Sequence, residues 1–359
     1  MNYEEFKFEV VEKIKEFLPK KYADADVSIK TVVKNNDQKL DGLMVKLQDS
    51  NIAPNIYLNQ FYEQHEDGRP MYDILASIAD IRVQHETSHD FDVSRLTDFD
   101  SVKNRITCHL VNAEQNAEYL EDKPYTMVDD LAVTYHIAIG KQEIGTMSAP
   151  ITNKLMKGYG VDVEQLHKIA IENMDTLTPA TFKSMTDTLI DLMMPEMMES
   201  GMSEEEAKKM ISSMYYFRPE AMPYVLSNED KLFGASVILN NKVMDTIKQK
   251  IGRDFYILPS SVHETLIVPK TEQTNLKELE CIVMQVNITD AAPEEKLSDH
   301  VYVYNAKEHE ILRADKAKAV KKARPSVKDK LAQKKDIAAK SSDNKESHSI
   351  KNKDEQALA

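Results

Sequence analysis

Short β-rich runs alternate with helical ones through residues 222–313, and no other feature of this 359-residue chain restricts its fold as tightly. "MPYVLS" and "GASVIL" read as a pair of strands, 241–251 as a helix, and "FYIL" and "VHETLIVP" as a second pair. Residues 275–287 then form a helix, and "HVYVYN" with "HEILR" a final hairpin. Hairpin, helix, hairpin, helix, hairpin is an antiparallel sheet covered by helices. The predicted class is α+β, with antiparallel or mixed sheets covered by helices, a helical Met-rich insertion and a disordered carboxy-terminal tail.

The remainder fits that class. Phe6, Val10, Ile14 and Phe17 recur at helical spacing over residues 3–18. "DVSIKTVV" and "LDGLMVKLQ" flank the polar "KNNDQK" as two antiparallel strands joined by a turn. Pro70 suits the first position of a helix whose apolar stripe is Met71, Ile74, Leu75, Ile78 and Ile81. A short helix over 98–105 precedes strands at "ITCHLV" and "DLAVTYHIAI", and two helices follow within 151–174, the second opened by Asp162 with Gln165. Seven methionines lie between Met193 and Met214 in a helical, Glu-rich context broken at "ESGMS", where Ser203 and Glu206 form a capping box. Methionine at such spacing reads as adaptable core or interface filler. The expected division is 1–148, an amino-terminal α+β region; 149–216, helical and Met-rich; 217–313, a carboxy-terminal α+β region; and 314–359, a basic low-complexity tail.

Charge separates the tail from the body. Residues 316–359 hold 13 Lys and Arg against 6 Asp and Glu, a net +7, while residues 1–315 hold 33 against 54, a net −21. Such a body repels nucleic acid, so a polyanion contact would have to be made through the tail alone. Cys108 and Cys281 lack C-x-x-C spacing, which points to a reducing compartment. The amino terminus lacks the pattern of a signal peptide, and no apolar run is long enough to span a bilayer. A cytoplasmic protein without a membrane contact is the expectation.

One segment suggests chemistry. "HETSH" places His85 and His89 four residues apart with Glu86 between them, the HExxH pattern in which two imidazoles share a zinc ion and the carboxylate polarises its water. Zinc peptidases of this kind take a third ligand from a later helix, and Glu118, in an ExxxD with Asp122, lies 29 residues on. Against the motif, Thr87, Ser88 and Asp90 are poor helix formers, and the i, i+4 geometry is lost if the helix stops near Gln84. His263 and Glu264 are adjacent, but in a strand they would face opposite sides. The patterns of a nucleophile elbow, a P-loop and a dinucleotide fingerprint are absent from the sequence.

"FGASVIL", "DFYILPSSVHETLIVP" and "LSDHVYVYN", preceded by "NIYLNQFYEQ", "RITCHLVNAEQN", "DLAVTYHIAI" and "TNKLMKGYGVDVEQLHKIAIENM", resemble in order the bacterial domain-of-unknown-function family 5688, over about residues 5–312. The resemblance implies no activity, ligand or catalytic residue. "KKARPSVKDKLAQKK" is similar to the carboxy-terminal segments of proteins encoded on bacterial mobile elements. The reading is a non-enzymatic cytoplasmic accessory or interaction protein of such an element, with an unknown protein partner and no metal or cofactor. The alternative is an HExxH zinc-dependent hydrolase in which His85, His89 and Glu118 bind zinc and Glu86 is the base.

Overall fold

The computed structural model describes residues 1–50, 53–86, 93–142, 145–289 and 291–317. The chain begins with α1 (Tyr3–Phe17), opened by a capping box in which the Asn2 side chain accepts from the Glu5 amide and the Glu5 carboxylate accepts from the Asn2 amide. β1 (Asp26–Val33) and β2 (Lys39–Lys46) pair antiparallel from Asp26↔Lys46 to Val33↔Lys39, and β3 (Asn55–Tyr57) adds to β2. α2 (Asn59–Glu66) and α3 (Met71–Gln84) follow, with Pro70 just outside α3 as its cap. Phe6, Val10 and Ile14 of α1 share one apolar cluster with Leu43, Val45, Ile74 and Ile78.

A larger core occupies the rest of the chain. α4 (Phe99–Val102), capped by Asp98, leads into β4 (Ile106–Asn112). Next come α5 (Ala117–Leu120), β5 (Tyr125–Val128), β6 (Leu131–Gln142) and β7 (Gly145–Pro150). β6 pairs antiparallel with β4, β5 and β7. Alternation sends Ile106, Cys108, Leu110, Val133, Tyr135 and Ile137 to one face. There they meet Leu166, Ala170 and Met174 of α7 (Val163–Leu177), which follows α6 (Asn153–Tyr159) and starts with the Asp162/Gln165 capping box.

β8 (Ala180–Ser184), α8 (Met185–Glu199), α9 (Glu204–Met214), β9 (Tyr224–Asn228), α10 (Asn241–Ile251), β10 (Phe255–Pro259), β11 (Thr265–Pro269), α11 (Leu276–Thr289), β12 (Tyr302–Asn305) and β13 (Glu310–Arg313) follow in order. The second large sheet has the order β13-β12-β10-β11-β9-β8, every neighbouring pair antiparallel. The α+β class stands, with three antiparallel sheets. Among the described residues no helix is long and apolar enough to cross a membrane.

Two expectations for this sheet are corrected. "GASVIL" is not a strand: Gly234–Leu239 forms 3-10 turns. β9 already has β8 on one side and β11 on the other, so no edge is left for it. Its buried Ala235, Val237 and Ile238 enter the core as turns instead, and periodicity alone does not separate a short buried strand from another buried element. The edge strand that the pattern lacked is β8, "ATFKS", whose polar residues hide it.

The turn between β1 and β2 does more than reverse the chain. Asn36 and Asp37 have φ of 58° and 50°. Asn36 Nδ2 donates to the carbonyls of Pro293 (2.7 Å) and Lys296 (2.8 Å), while its Oδ1 accepts from Nδ2 of the fully buried Asn116 (2.9 Å). The Asp37 carboxylate accepts from the amides of Glu118 (3.0 Å) and Tyr119 (2.9 Å) at the start of α5. The turn thus ties the amino-terminal sheet to two distant loops. Asn36→Ala leaves three partners unmet and puts a Cβ residue with no local hydrogen bond at positive φ, so it is expected to cost about 2–4 kcal/mol in urea unfolding. Asn36→Gly should cost about 1 kcal/mol less, because only the hydrogen bonds are lost. Equal losses would show that the backbone conformation carries none of the effect.

Candidate functional site

Ser184, at the end of β8, caps α8 by accepting from the Asp187 amide at 3.1 Å. After Gly201 the Ser203/Glu206 capping box starts α9, which packs against α8 to form a helical hairpin. Eight of the fifteen α8 side chains are Met, Leu or Ile, yet none is buried. Leu189, Ile190, Met193, Met194 and Met197 are half-buried, facing a partner helix whose own buried residues are Ala207 and Ile211. A helix this apolar ordinarily buries its stripe; here α9 covers it only in part. The methionines of α8 therefore do not fill a closed core.

Around that seam the hairpin exposes large apolar side chains: Leu192 (74%), Met198 (51%), Met210 (44%), Met214 (56%) and Tyr216 (76%). Singly these would mean nothing, but five within 25 residues make an apolar surface. Methionine suits such a surface because its unbranched, polarizable side chain repacks against differently shaped partners. The surface is also acidic, with seven Asp and Glu against two Lys in residues 185–214, a net −5.

The zinc-motif residues are not brought together by the described structure. α3 ends at Gln84, and His85 is its C-cap, with φ −99° and ψ 27°. The helix the motif requires stops before its first histidine. His89 lies outside the described residues. Glu86 is ion-paired with Lys21, whose hydrogen bond holds its carboxyl below the usual range. Glu118, on the four-residue α5, pairs with Lys39 at 2.9 Å. Among the described residues His85 Nδ1 is buried without a hydrogen-bond partner, and no group of three or more His, Cys, Asp or Glu side chains is placed to hold a metal ion.

His263 and Glu264 require the second correction: β11 starts only at Thr265, so both sit in the preceding loop and the strand alternation does not apply to them. His263 Nδ1 accepts from the Phe233 amide at 3.1 Å, and its Nε2 lies 3.7 Å from Glu295. The Phe233 ring stacks on His109 at 3.8 Å between centroids, and His109 stacks on His136, also at 3.8 Å. The result is a column of rings, His136, His109, Phe233 and His263, on the polar face of β4 and β6. Burial, then the neighbouring His136 and His263, pushes the His109 pKa well below its usual value; burial, then Lys123, pushes His136 down to about 3.

No motif or spacing in the sequence marks this column. The alternation of Thr107 with His109, and of Thr134 with His136, could have marked a polar face on each strand. Only the register, which sets Thr107 opposite His136 and His109 opposite Thr134, shows that the two histidines are diagonal neighbours. Beside the column is a cavity of about 40 Å³, lined in part by His109, Asn228 and Phe233. That is space for a few water molecules and not for an organic substrate. Neutral imidazoles stacked in so small a space pack the junction of β4, β6 and the 233–239 turns.

A sequence model of a protein family, described as "Family of unknown function (DUF5688)", matches residues 3–306. No curated protein and no solved structure matches the chain.

Proposed function

The chain belongs to the Family of unknown function (DUF5688), and from that membership, which assigns no activity, we propose that it is a non-enzymatic accessory or interaction protein that binds a protein partner through the α8–α9 hairpin. One observation carries this reading: α8 is rich in Met and Leu and buries none of its side chains. The free, unpaired thiols of Cys108 and Cys281 support a reducing, cytoplasmic setting. The placement with a bacterial mobile element rests on the character of residues 316–359 alone.

Replacing Leu192, Met198 and Met214 together by Glu tests the reading. An interaction face that the described residues leave exposed tolerates the change, so the unfolding free energy should move by about 1 kcal/mol or less. In about 1 M NaCl, which screens charged segments off the face, binding of an environment-sensitive apolar dye to the native protein should be lost in the variant, because the dye reports exposed apolar surface. A loss of about 3 kcal/mol or more would make the hairpin face part of the core and end the reading.

A further inference from the structure

We propose that the occupant of the hairpin face is a segment of this same chain: residues 327–340 of the basic tail dock in cis on α8 and α9. This rests on the reading of the hairpin as an interaction surface, and it names what covers that surface. Charge is the first argument. Residues 327–340 hold five Lys against two Asp, a net +3, facing the net −5 of residues 185–214. The body is acidic elsewhere too, and α1 and α11 also expose large apolar side chains; the hairpin gathers five of them within 25 residues.

The segment supplies the matching apolar element. At 100° per residue, Val327, Leu331 and Ala338 fall within about 40° of one another on a helical projection, while Lys328 and Lys335 lie on one side, Lys330 and Lys334 on the other, and Asp329 and Asp336 fall opposite. An apolar stripe edged with lysine is the complement of methionine edged with carboxylate.

Reach is the third argument. The described chain leaves the body just after β13, where Lys316 pairs with the nearly buried Asp129. β13 and β8 are the opposite edges of the six-stranded sheet, and α8 starts directly from β8. Five strand spacings of about 4.8 Å make the sheet roughly 24 Å wide. Residues 318–326, fully extended, span about 30 Å, enough to cross the sheet to the edge from which α8 starts. A tether this short gives an effective concentration in the millimolar range, and a weak contact suffices for occupancy.

The test uses the full-length chain with [13C-methyl]methionine and a nitroxide on Ala339→Cys in a Cys281→Ser background, where the remaining Cys108 is buried. The proposal expects the methyl signals of Met198, Met210 and Met214 to be broadened away at every protein concentration. Broadening should vanish in the Lys328→Glu, Lys334→Glu, Lys335→Glu variant and at about 1 M NaCl, where screening shortens to about 3 Å. Sharp hairpin methyl signals, or broadening confined to other methionines, overturn it. Broadening that fades on dilution also overturns it, since the tail would then come from a second copy. Those failures leave the tolerance of the Leu192, Met198, Met214 variant untouched, so the fate of the hairpin reading is decided separately.

Discussion

Gly234→Ala is expected to be the most damaging single-atom addition in this protein, costing about 3 kcal/mol or more and lowering Tm by roughly 6–12 °C. A Cβ at Gly234 would lie 2.3 Å from Ser227 Oγ, 2.6 Å from the Asn228 amide nitrogen and 2.6 Å from the His263 carbonyl oxygen. Two of these are backbone atoms, one at the end of β9 and one in the loop before β11. They cannot rotate away as the tip of a side chain can. Nor is the hydroxyl free to move, because Ser227 Oγ donates to the same His263 carbonyl at 2.7 Å. Accommodation must separate the 234–239 turns from the sheet, and with them Ala235, Val237 and Ile238 from the core and Phe233 from His109. Gly158→Ala, in α6 with nothing within 4 Å of the new carbon, is the control. There the change should stabilise by about 0.5–1 kcal/mol, as helix propensity dictates. Thermal and urea unfolding of the two variants beside the parent decide the matter. A Gly234→Ala protein as stable as the parent would refute the close approach.

Acidification should destabilise the protein well before its carboxylates titrate. His109 and His136 are buried and neutral in the native state, with pKa values lowered by burial, that of His136 to about 3. In the unfolded chain both titrate near their ordinary value of about 6.5. Below that pH the unfolded state binds protons that the native state refuses, so stability falls with pH, by about 1.4 kcal/mol per unit for each histidine. The loss starts near pH 6.5 and continues toward the native pKa values. Between pH 7.5 and 4.5 His136 should remove about 3 kcal/mol, and His109 acts in the same direction. Asp41, whose carboxyl is held low by its hydrogen bond from Thr31 and then by Lys7, contributes only in a lower window, below the ordinary carboxylate range. Urea midpoints from pH 7.5 to 4.5 measure the slope. His136→Gln, which cannot take up a proton, should flatten it by about half; an unchanged slope in that variant would place the titration elsewhere.

What the sequence determined by itself was local. The α1 stripe, the β1–β2 pair, the Asp162/Gln165 and Ser203/Glu206 capping boxes and the β12–β13 hairpin each depend on residues within about one helical turn or one tight turn of one another. The end of α3 at Gln84 belongs with them, since Thr, Ser and Asp, the residue types at 87, 88 and 90, have low helix propensity. Helical spacing also identified the Met-rich segment, though not that its side chains stay half-covered. The tertiary structure alone decided matters set by what already occupied a place. "GASVIL" has strand-like residues and becomes a turn because β8 and β11 flank β9. His263 is a ring acceptor for the Phe233 amide because the 233–239 turns pack against its loop. His109 and His136 form a stack because of a register between strands some 25 residues apart in the chain. A residue's own neighbours set its backbone preference, but burial, pairing edge and charge state follow from atoms that arrive from elsewhere in the chain, and no local pattern encodes their positions.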